Sequence, residues 1–248
     1  MHVETFSLPH AWFRRTAAYL TRHEAENNLL LGLAHTLMND PGAYAEYYMA
    51  TVVQDDAVVG AALMTVPYNL ILAHTEHPDA LEALAANVVR THRTLPGVNG
   101  RKDLSHAFAR LWTVRTGQPH ELEMEQRVYQ VREVKAPAGV AGTLRPAVAS
   151  DIDLIADWMY AFAVDAHLEA DRERSRIGAE RAFQTKIRRT FFWMVDGEPV
   201  EGTFRAHQVP LPAARTDATG THLVNLGYLP GGGVGAVEFA VAPRRVFL

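Results

Sequence analysis

The order in which two kinds of hydrophobic periodicity alternate is the feature that most constrains the fold of this chain. A 3.6-residue period predicts helices and a two-residue period predicts strands. The first half contains helix, helix, strand, strand, strand, helix, short strand, helix and strand. After residue 142 a similar order begins again with a strand, two helices and three strands. The alternation predicts an α/β protein with mixed, largely antiparallel sheets flanked by helices.

A stretch of small residues with Pro and Gly separates the two halves. Residues 136–142 read Ala-Pro-Ala-Gly-Val-Ala-Gly, a composition that is typical of a linker. We therefore predict a first domain over 1–135, a linker over 136–142 and a second domain over 143–248. A chain of 248 residues has room for two domains of ordinary size.

The first half yields predictions with definite bounds. The predicted helices are Pro9–Leu20, Glu24–Met38, one from Pro78 and Asp103–Thr116; the predicted strands are Tyr47–Gln54, Ala57–Val66, Asn69–His74 and Glu121–Val134. Asp55-Asp56 is expected to form the turn between the first two strands.

The second half is interpreted in the same way. The predicted strands are Thr143–Val148, Phe191–Val195, Pro199–Val209 and His222–Leu229; the predicted helices are one capped by Ser150 and one over Asp171–Arg189. Asp196-Gly197 has the composition of a hairpin turn. Pro230-Gly231-Gly232-Gly233-Val234-Gly235-Ala236 follows the last strand. Glycine loops after a strand allow backbone N–H groups to approach a phosphate closely.

These segments resemble the GNAT superfamily of N-acetyltransferases. Thr143–Ala166 ("TLRPAVASDIDLIADWMYAFAVDA") is similar to the opening of many such domains, and Phe191–Gly202 ("FFWMVDGEPVEG") is similar to their hairpin between the second and third strands. Ala25–Leu37 ("AENNLLLGLAHTL") is similar to bacterial members with two tandem folds, of which the first is degenerate. The resemblance implies two tandem GNAT-like folds.

The same resemblance implies a site for acetyl-CoA as co-substrate. The family holds the coenzyme pyrophosphate with an Arg/Gln-x-x-Gly-x-Gly/Ala motif after the fourth strand, and Gly233 and Gly235 stand at its glycine positions. Pro230 stands where Arg or Gln is expected. The strand preceding the motif would pair with pantetheine. The implied cofactor-binding residues are Leu226, Gly227, Tyr228, Gly231, Gly232, Gly233, Val234, Gly235 and Ala236.

The resemblance also predicts an incomplete second domain. In the family a long helix and further strands follow the glycine motif, whereas Val237–Leu248 has no amphipathic helical pattern. The tail therefore looks truncated or shifted in reading frame relative to the family. An incomplete sheet leaves an open edge, which predicts a homo-oligomer.

The implied function is transfer of an acetyl group from acetyl-CoA to an amine of a small molecule or peptide. Glu201 and, less favoured, His207 are candidate general bases, but each is more typical of a strand surface, so no catalytic residue is assigned. The alternative is a non-catalytic binding or scaffold protein that has lost acetyl transfer. Two rival motifs, the dinucleotide fingerprint and the P-loop, lack their required following residues.

Composition excludes several other classes. The net charge of −4 gives no basic surface for nucleic acid, and the absence of cysteine excludes disulfides and thiolate chemistry. His74 and His77 have no third ligand at metal spacing, so histidines are expected at the surface and no metal site is predicted. No signal peptide or membrane-length apolar segment is evident, which predicts a cytoplasmic protein without a membrane partner.

Overall fold

The protein is represented by a computed structural model that describes residues 1–123, 125, 128, 130–131, 139–165, 169–184, 188–209, 221–225 and 246–247. The chain divides into two compact units, Met1–Val128 and Tyr129–Leu248. The predicted linker, 136–142, begins seven residues after the first residue of the second unit, Tyr129. Residues 136–138 of this linker lie outside the described part.

Unit 1 (Met1–Val128) contains five strands and four α-helices among its described residues. Its elements are β1 (His2–Thr5), α1 (Pro9–Leu20), α2 (Asn28–Asn39), β2 (Tyr47–Gln54), β3 (Ala57–Thr65), β4 (Leu70–Leu72), α3 (Pro78–Thr91), β5 (Val98–Asn99) and α4 (Lys102–Thr116). A 3₁₀ turn, Thr21–His23, joins α1 to the residues before α2.

The sheet of unit 1 follows the chain order β1-β2-β3-β4-β5. Neighbouring strands from β1 to β4 are antiparallel, whereas β4 and β5 are parallel, with Leu70 opposite Val98. A parallel pair requires a long crossover, and α3 supplies it. The sheet is therefore mixed, and helices flank it, as the sequence predicts.

Alternation along β2 and β3 places apolar side chains on both faces of this sheet. Tyr48, Ala50 and Val52 pack with residues of α3 and α4, such as Leu84 and Phe108. On the other face, Met49, Ala61 and Leu63 pack with residues of α1 and α2, including Trp12 and Leu37. Because both faces are covered, β2 and β3 form a nearly continuous buried layer between two helical layers.

The β2–β3 hairpin has a turn and a bulge. Asp55 and Asp56 both have positive φ angles, 48° and 62°, which confirms the predicted turn. Opposite Val52 and Val53, the partners in β3 are Gly60 and Val58, so Val59 has no partner in the ladder. Such an extra residue leaves its peptide groups free for other contacts.

Unit 2 (Tyr129–Leu248) begins with a short strand, and the order strand, helix, helix and meander follows from its second strand. Its described elements are β6 (Gln130–Val131), β7 (Thr143–Pro146), α5 (Ile152–Asp165), α6 (Arg172–Gln184), β8 (Arg188–Val195), β9 (Glu198–Val209), β10 (Thr221–Asn225) and β11 (Val246–Phe247). The sheet order is β6-β11-β10-β9-β8-β7. Strands β7 to β10 are antiparallel neighbours, and β10 is parallel to β11.

The core described for unit 2 lies between its helices and β8. Ile155 on α5, Ala179 on α6 and Phe192 on β8 are buried together. The Trp158 ring meets the Phe192 ring edge-on at 5.5 Å between centroids. The two helices thus cover one face of the meander.

The start of α5 differs from the sequence prediction, because Ser150 does not cap it. Residues Ala149–Asp151 form a 3₁₀ turn, and the Asp151 carboxylate accepts the Val148 N–H at 2.7 Å. Arg145 donates two hydrogen bonds to the same carboxylate, at 2.8 and 3.0 Å. Asp151 is therefore the acceptor that fixes this corner.

Three other predictions need correction, and one strand was not predicted. The helix predicted over Glu24–Met38 begins only at Asn28, after the 3₁₀ turn and a further turn. Of the strand predicted over Glu121–Val134, Gln130–Val131 is confirmed as a strand, whereas residues 121–123 form none. Arg188 and Arg189 belong to β8 and not to the helix predicted over Asp171–Arg189, which ends at Gln184. The strand that no prediction covers is β1.

The end of the predicted linker packs on the β8–β9 hairpin. Trp193 Nε1 donates to the Ala141 carbonyl at 3.1 Å. Gly142 has a φ of +129°, and a Cβ atom there would lie 2.7 Å from the Met194 carbonyl oxygen. Glycine is required here by both conformation and space.

Candidate functional site

The predicted coenzyme residues directly follow the described part of β10, which ends at Asn225. Leu226, Gly227, Tyr228, Gly231, Gly232, Gly233, Val234, Gly235 and Ala236 lie outside the described residues. The two base candidates, Glu201 and His207, both lie on β9. Glu201 pairs in register with Trp193, and His207 pairs with Leu223 on β10.

A cluster of polar side chains lies in unit 1, where β4 leads into α3. We call it the His74 cluster; its members are His23, Glu26, Asn27, His74 and Arg101. His74 was expected at the surface but is buried, with 9% of its surface exposed. It lies in the loop Ala73–His77, between the last residue of β4 and Pro78 of α3.

The backbone of His74 is held by two residues from the α1–α2 region. The His74 N–H donates to Asn27 Oδ1 at 3.0 Å, and Asn27 Nδ2 donates to the Leu20 carbonyl at 3.0 Å. The Tyr19 hydroxyl at the end of α1 contacts the His74 carbonyl. These bonds tie the end of α1 to the loop before α3, across 47 to 55 positions of sequence.

The bulge residue Val59 supports the same loop. Its carbonyl oxygen lies 2.8 Å from the Tyr19 hydroxyl and 2.6 Å from Thr75 Oγ1. A buried carbonyl outside the strand ladder needs another donor, and two side-chain hydroxyls are in reach. Burial raises the pKa of Tyr19, so its hydroxyl stays protonated as a donor.

The His74 ring lies among three ionisable side chains. Its Nδ1 is 2.6 Å from Glu26 Oε2 and 3.3 Å from Arg101 Nη1. Because the carboxylate is the closer partner and can only accept when ionised, the hydrogen-bond pattern assigns the proton to Nδ1. The His23 ring stacks on the His74 ring, with centroids 3.9 Å apart and planes 11° apart.

Arg101, which precedes α4, is also paired with Asp103. Arg101 Nε donates to Asp103 Oδ1 at 2.7 Å. Hydrogen bonding and charge attraction from Arg101 lower the pKa of Asp103 to about 2. The guanidinium charge near His74 is therefore partly compensated by a carboxylate that stays ionised at neutral pH.

The His74 cluster is not evident in the sequence because its members are far apart in the chain. Glu26 and His74 are 48 positions apart. The local signal was His23-x-x-Glu26, which places two ligand types three residues apart just before a helix. In the folded unit, the turn between α1 and α2 lies beside the residues that follow β4. His77, which was considered with His74 in the sequence, is not one of the three described residues whose ligand atoms come together.

The comparisons with known proteins place the chain in no family. No protein-family model matches it, and no solved structure matches it. A Nocardia farcinica protein described as "Probable phosphoketolase" is 88% identical over 24 residues. Those residues are 10% of this chain, which spans only 3% of that protein, so the similarity carries no argument about fold or site. Among the described residues, no helix combines the length and apolarity needed to cross a bilayer.

Proposed function

We propose that the protein is an acetyl-CoA-dependent N-acetyltransferase built from two tandem GNAT-like folds. Unit 2 carries the coenzyme site in this proposal, and unit 1 is the degenerate copy. The acceptor is an amine of a small molecule or peptide.

One observation carries the proposal: both units share the order strand, helix, helix and antiparallel meander. In unit 1 the elements are β1, α1, α2 and then β2-β3-β4. In unit 2 they are β7, α5, α6 and then β8-β9-β10. Unit 1 continues with α3, β5 and α4, which is the further order expected of a GNAT domain. This shared order of elements supports the interpretation of two tandem copies, which in the sequence rested on hydrophobic periodicity.

The connection after the fourth strand supports different roles for the two units. In unit 1 it reads Ala73-His74-Thr75-Glu76-His77, contains no glycine and places the Glu26 carboxylate beside His74. A carboxylate and side chains at this position oppose the close approach of a pyrophosphate. In unit 2 the residues after β10 include four glycines between Gly231 and Gly235. The glycine-rich sequence favours unit 2 as the coenzyme-binding copy.

The proposed reaction is direct acyl transfer. A deprotonated amine attacks the thioester carbonyl, so that a C–N bond forms and the C–S bond breaks. The electron pair leaves on the CoA sulfur, and the proton lost by the attacking amine passes, directly or through solvent, to that sulfur to give the CoA thiol. A backbone N–H of the strand before the glycine motif would stabilise the oxyanion.

Release of the CoA thiol tests the proposal. The protein contains no cysteine, so a thiol reagent added during the reaction reports only the product. Incubation with acetyl-CoA and a panel of small amines, polyamines and peptide N-termini is expected to release thiol with at least one acceptor, and mass spectrometry should find that acceptor heavier by one acetyl group.

Two results separate the proposal from the scaffold alternative. Tight binding of acetyl-CoA without acetylation of any amine would support a non-catalytic coenzyme-binding protein. Neither binding nor acetylation would reject the coenzyme site altogether.

A further inference from the structure

We propose that His23, Glu26 and His74 form a binding site for a divalent transition-metal ion, with Zn²⁺ as the best chemical match. Each residue offers one ligand atom, and these atoms all lie within 4.8 Å of one another. The site is in unit 1 and is separate from the coenzyme site proposed for unit 2.

The donor set selects the class of metal. Two imidazoles and one carboxylate suit Zn²⁺ and its transition-metal neighbours, whereas Mg²⁺ and Ca²⁺ prefer oxygen donors throughout. Three protein ligands also leave a coordination position open for water or another molecule.

The three residues differ in how firmly they are held. His74 is the fixed member, because it is buried and Asn27 and Tyr19 bind its backbone on either side. His23 and Glu26 are exposed and belong to the turn before α2, so their side chains can rotate. Ligand atoms around Zn²⁺ must approach more closely than 4.8 Å, so the proposal requires the exposed His23 and Glu26 side chains to rotate toward His74 when the ion binds.

The positive charge of Arg101 disfavours binding of a cation at this site. Its Nη1 lies 3.3 Å from His74 Nδ1, where its positive charge repels a metal ion, and coordination at Nδ1 also displaces to solvent the proton that this atom donates to Glu26. The Asp103 carboxylate also binds the Arg101 guanidinium, through Nε and Nη2. Arg101 therefore keeps an ion-pair partner if its Nη1 leaves His74. Removal of the Arg101 charge is therefore expected to tighten metal binding, whereas loss of a ligand weakens it.

Titration of the full chain with Zn²⁺ after chelator treatment tests the site. Calorimetry is expected to show one equivalent bound, and thermal melting is expected to show a rise in Tm with Zn²⁺, since a ligand that binds the folded state stabilises it. Co²⁺ gives an independent signal, because its visible absorption reports coordination by nitrogen and oxygen ligands.

Because His23 and Glu26 are exposed, substitutions at these two positions are expected to leave the fold intact. His23→Ala and Glu26→Gln are each expected to lower Zn²⁺ affinity tenfold or more, and Arg101→Gln is expected to raise it severalfold. His10→Ala, which removes an exposed histidine of α1, is the matched control and should leave affinity unchanged.

Two outcomes would overturn the proposal. The first is no saturable binding of one equivalent by the parent protein. The second is one-equivalent binding that survives in the His23→Ala/Glu26→Gln double variant, because that binding would belong to other histidines of the chain.

Discussion

The Tyr19 hydroxyl on α1 lies 2.8 Å from the carbonyl oxygen of Val59, the bulge residue of β3. Thr75 Oγ1 reaches the same oxygen at 2.6 Å. A single acceptor thus joins a helix, a strand bulge and the loop that carries His74. Tyr19 has a single O–H proton, which the Val59 and His74 carbonyls share, so each hydroxyl contributes, and loss of both removes the two side-chain donors of the mostly buried Val59 carbonyl.

This shared acceptor predicts coupling between Tyr19→Phe and Thr75→Val. Each single variant is expected to lose about 1 kcal/mol of unfolding free energy, and the double variant about 1 kcal/mol more than the sum. Denaturant unfolding of all four proteins measures the coupling. Thr75→Ser keeps the hydroxyl and is the control. Simple additivity would show that the Val59 carbonyl does not depend on these two donors.

Burial of His35 predicts a pH-dependent loss of stability. His35 on α2 is 8% exposed, and burial lowers its pKa below the ordinary 6.5. As the pH falls below 6.5, the unfolded chain takes up a proton that folded His35 does not, so the unfolding free energy decreases. His35→Leu should remove this contribution and flatten the profile between pH 5 and 7.

The comparison variant for that profile is His10→Gln, which also removes one histidine but at an exposed position. Thermal melts of the three proteins across this pH range provide the measurement. If His35→Leu follows the parent protein at every pH, His35 is not held neutral by burial.

The Arg145–Asp151 pair is expected to stabilise the start of α5 in unit 2. The side chains are 35% and 14% exposed, so Asp151→Asn should cost about 1 kcal/mol, near the upper end for accessible ion pairs. Hydrogen bonding from Arg145 lowers the pKa of Asp151.

This lowered pKa fixes the pH dependence of the pair. The stabilisation is present above the ordinary Asp value of 3.8 and is lost as the pH falls through the lower folded-state value. The parent protein and Asp151→Asn should therefore differ in stability at neutral pH and converge in acid. An equal difference at pH 7 and pH 3 would contradict the ion-pair account.

Two glycines allow backbone strain to be separated from steric contact in unit 2. Gly142→Ala introduces a Cβ 2.7 Å from the Met194 carbonyl oxygen at a φ of +129°. At Gly139, with a φ of +73°, no atom of the described residues lies within 4 Å of the position that a Cβ would take. We expect Gly139→Ala to cost about 1 kcal/mol and Gly142→Ala clearly more. Equal costs in denaturant unfolding would mean that the contact with β8 is not formed.

The elements of unit 1 could be predicted where local chemistry marks both ends. The predicted bounds of β2 match the structure because the strand lies between a loop with Pro41-Gly42 and the Asp55-Asp56 turn. The α1 helix begins at Pro9, which favours the first helical position. The run over Glu121–Val134 has strand-like alternation, but among its described residues only Gln130–Val131 finds a partner strand, and alternation alone does not supply one to residues 121–123.

The His74 cluster could not be predicted because it depends on tertiary contacts. Val59 is a bulge only in its pairing with β2, and no residue type at that position signals it. The burial of His74 follows from Asn27 and Tyr19, which are distant in sequence. Periodicity identifies which residues share a face, but not which loops meet at its edge.

Calorimetric titration of the full chain with acetyl-CoA, with CoA and ATP as comparison ligands, measures whether unit 2 has a coenzyme site. We expect micromolar binding of acetyl-CoA, about −8 kcal/mol. The affinity should fall in Gly233→Val and Gly235→Val but not in Ala240→Val, which adds side-chain volume just beyond the glycine motif. The absence of heat at protein concentrations well above that range, or equal loss in all three variants, would contradict a coenzyme site in unit 2.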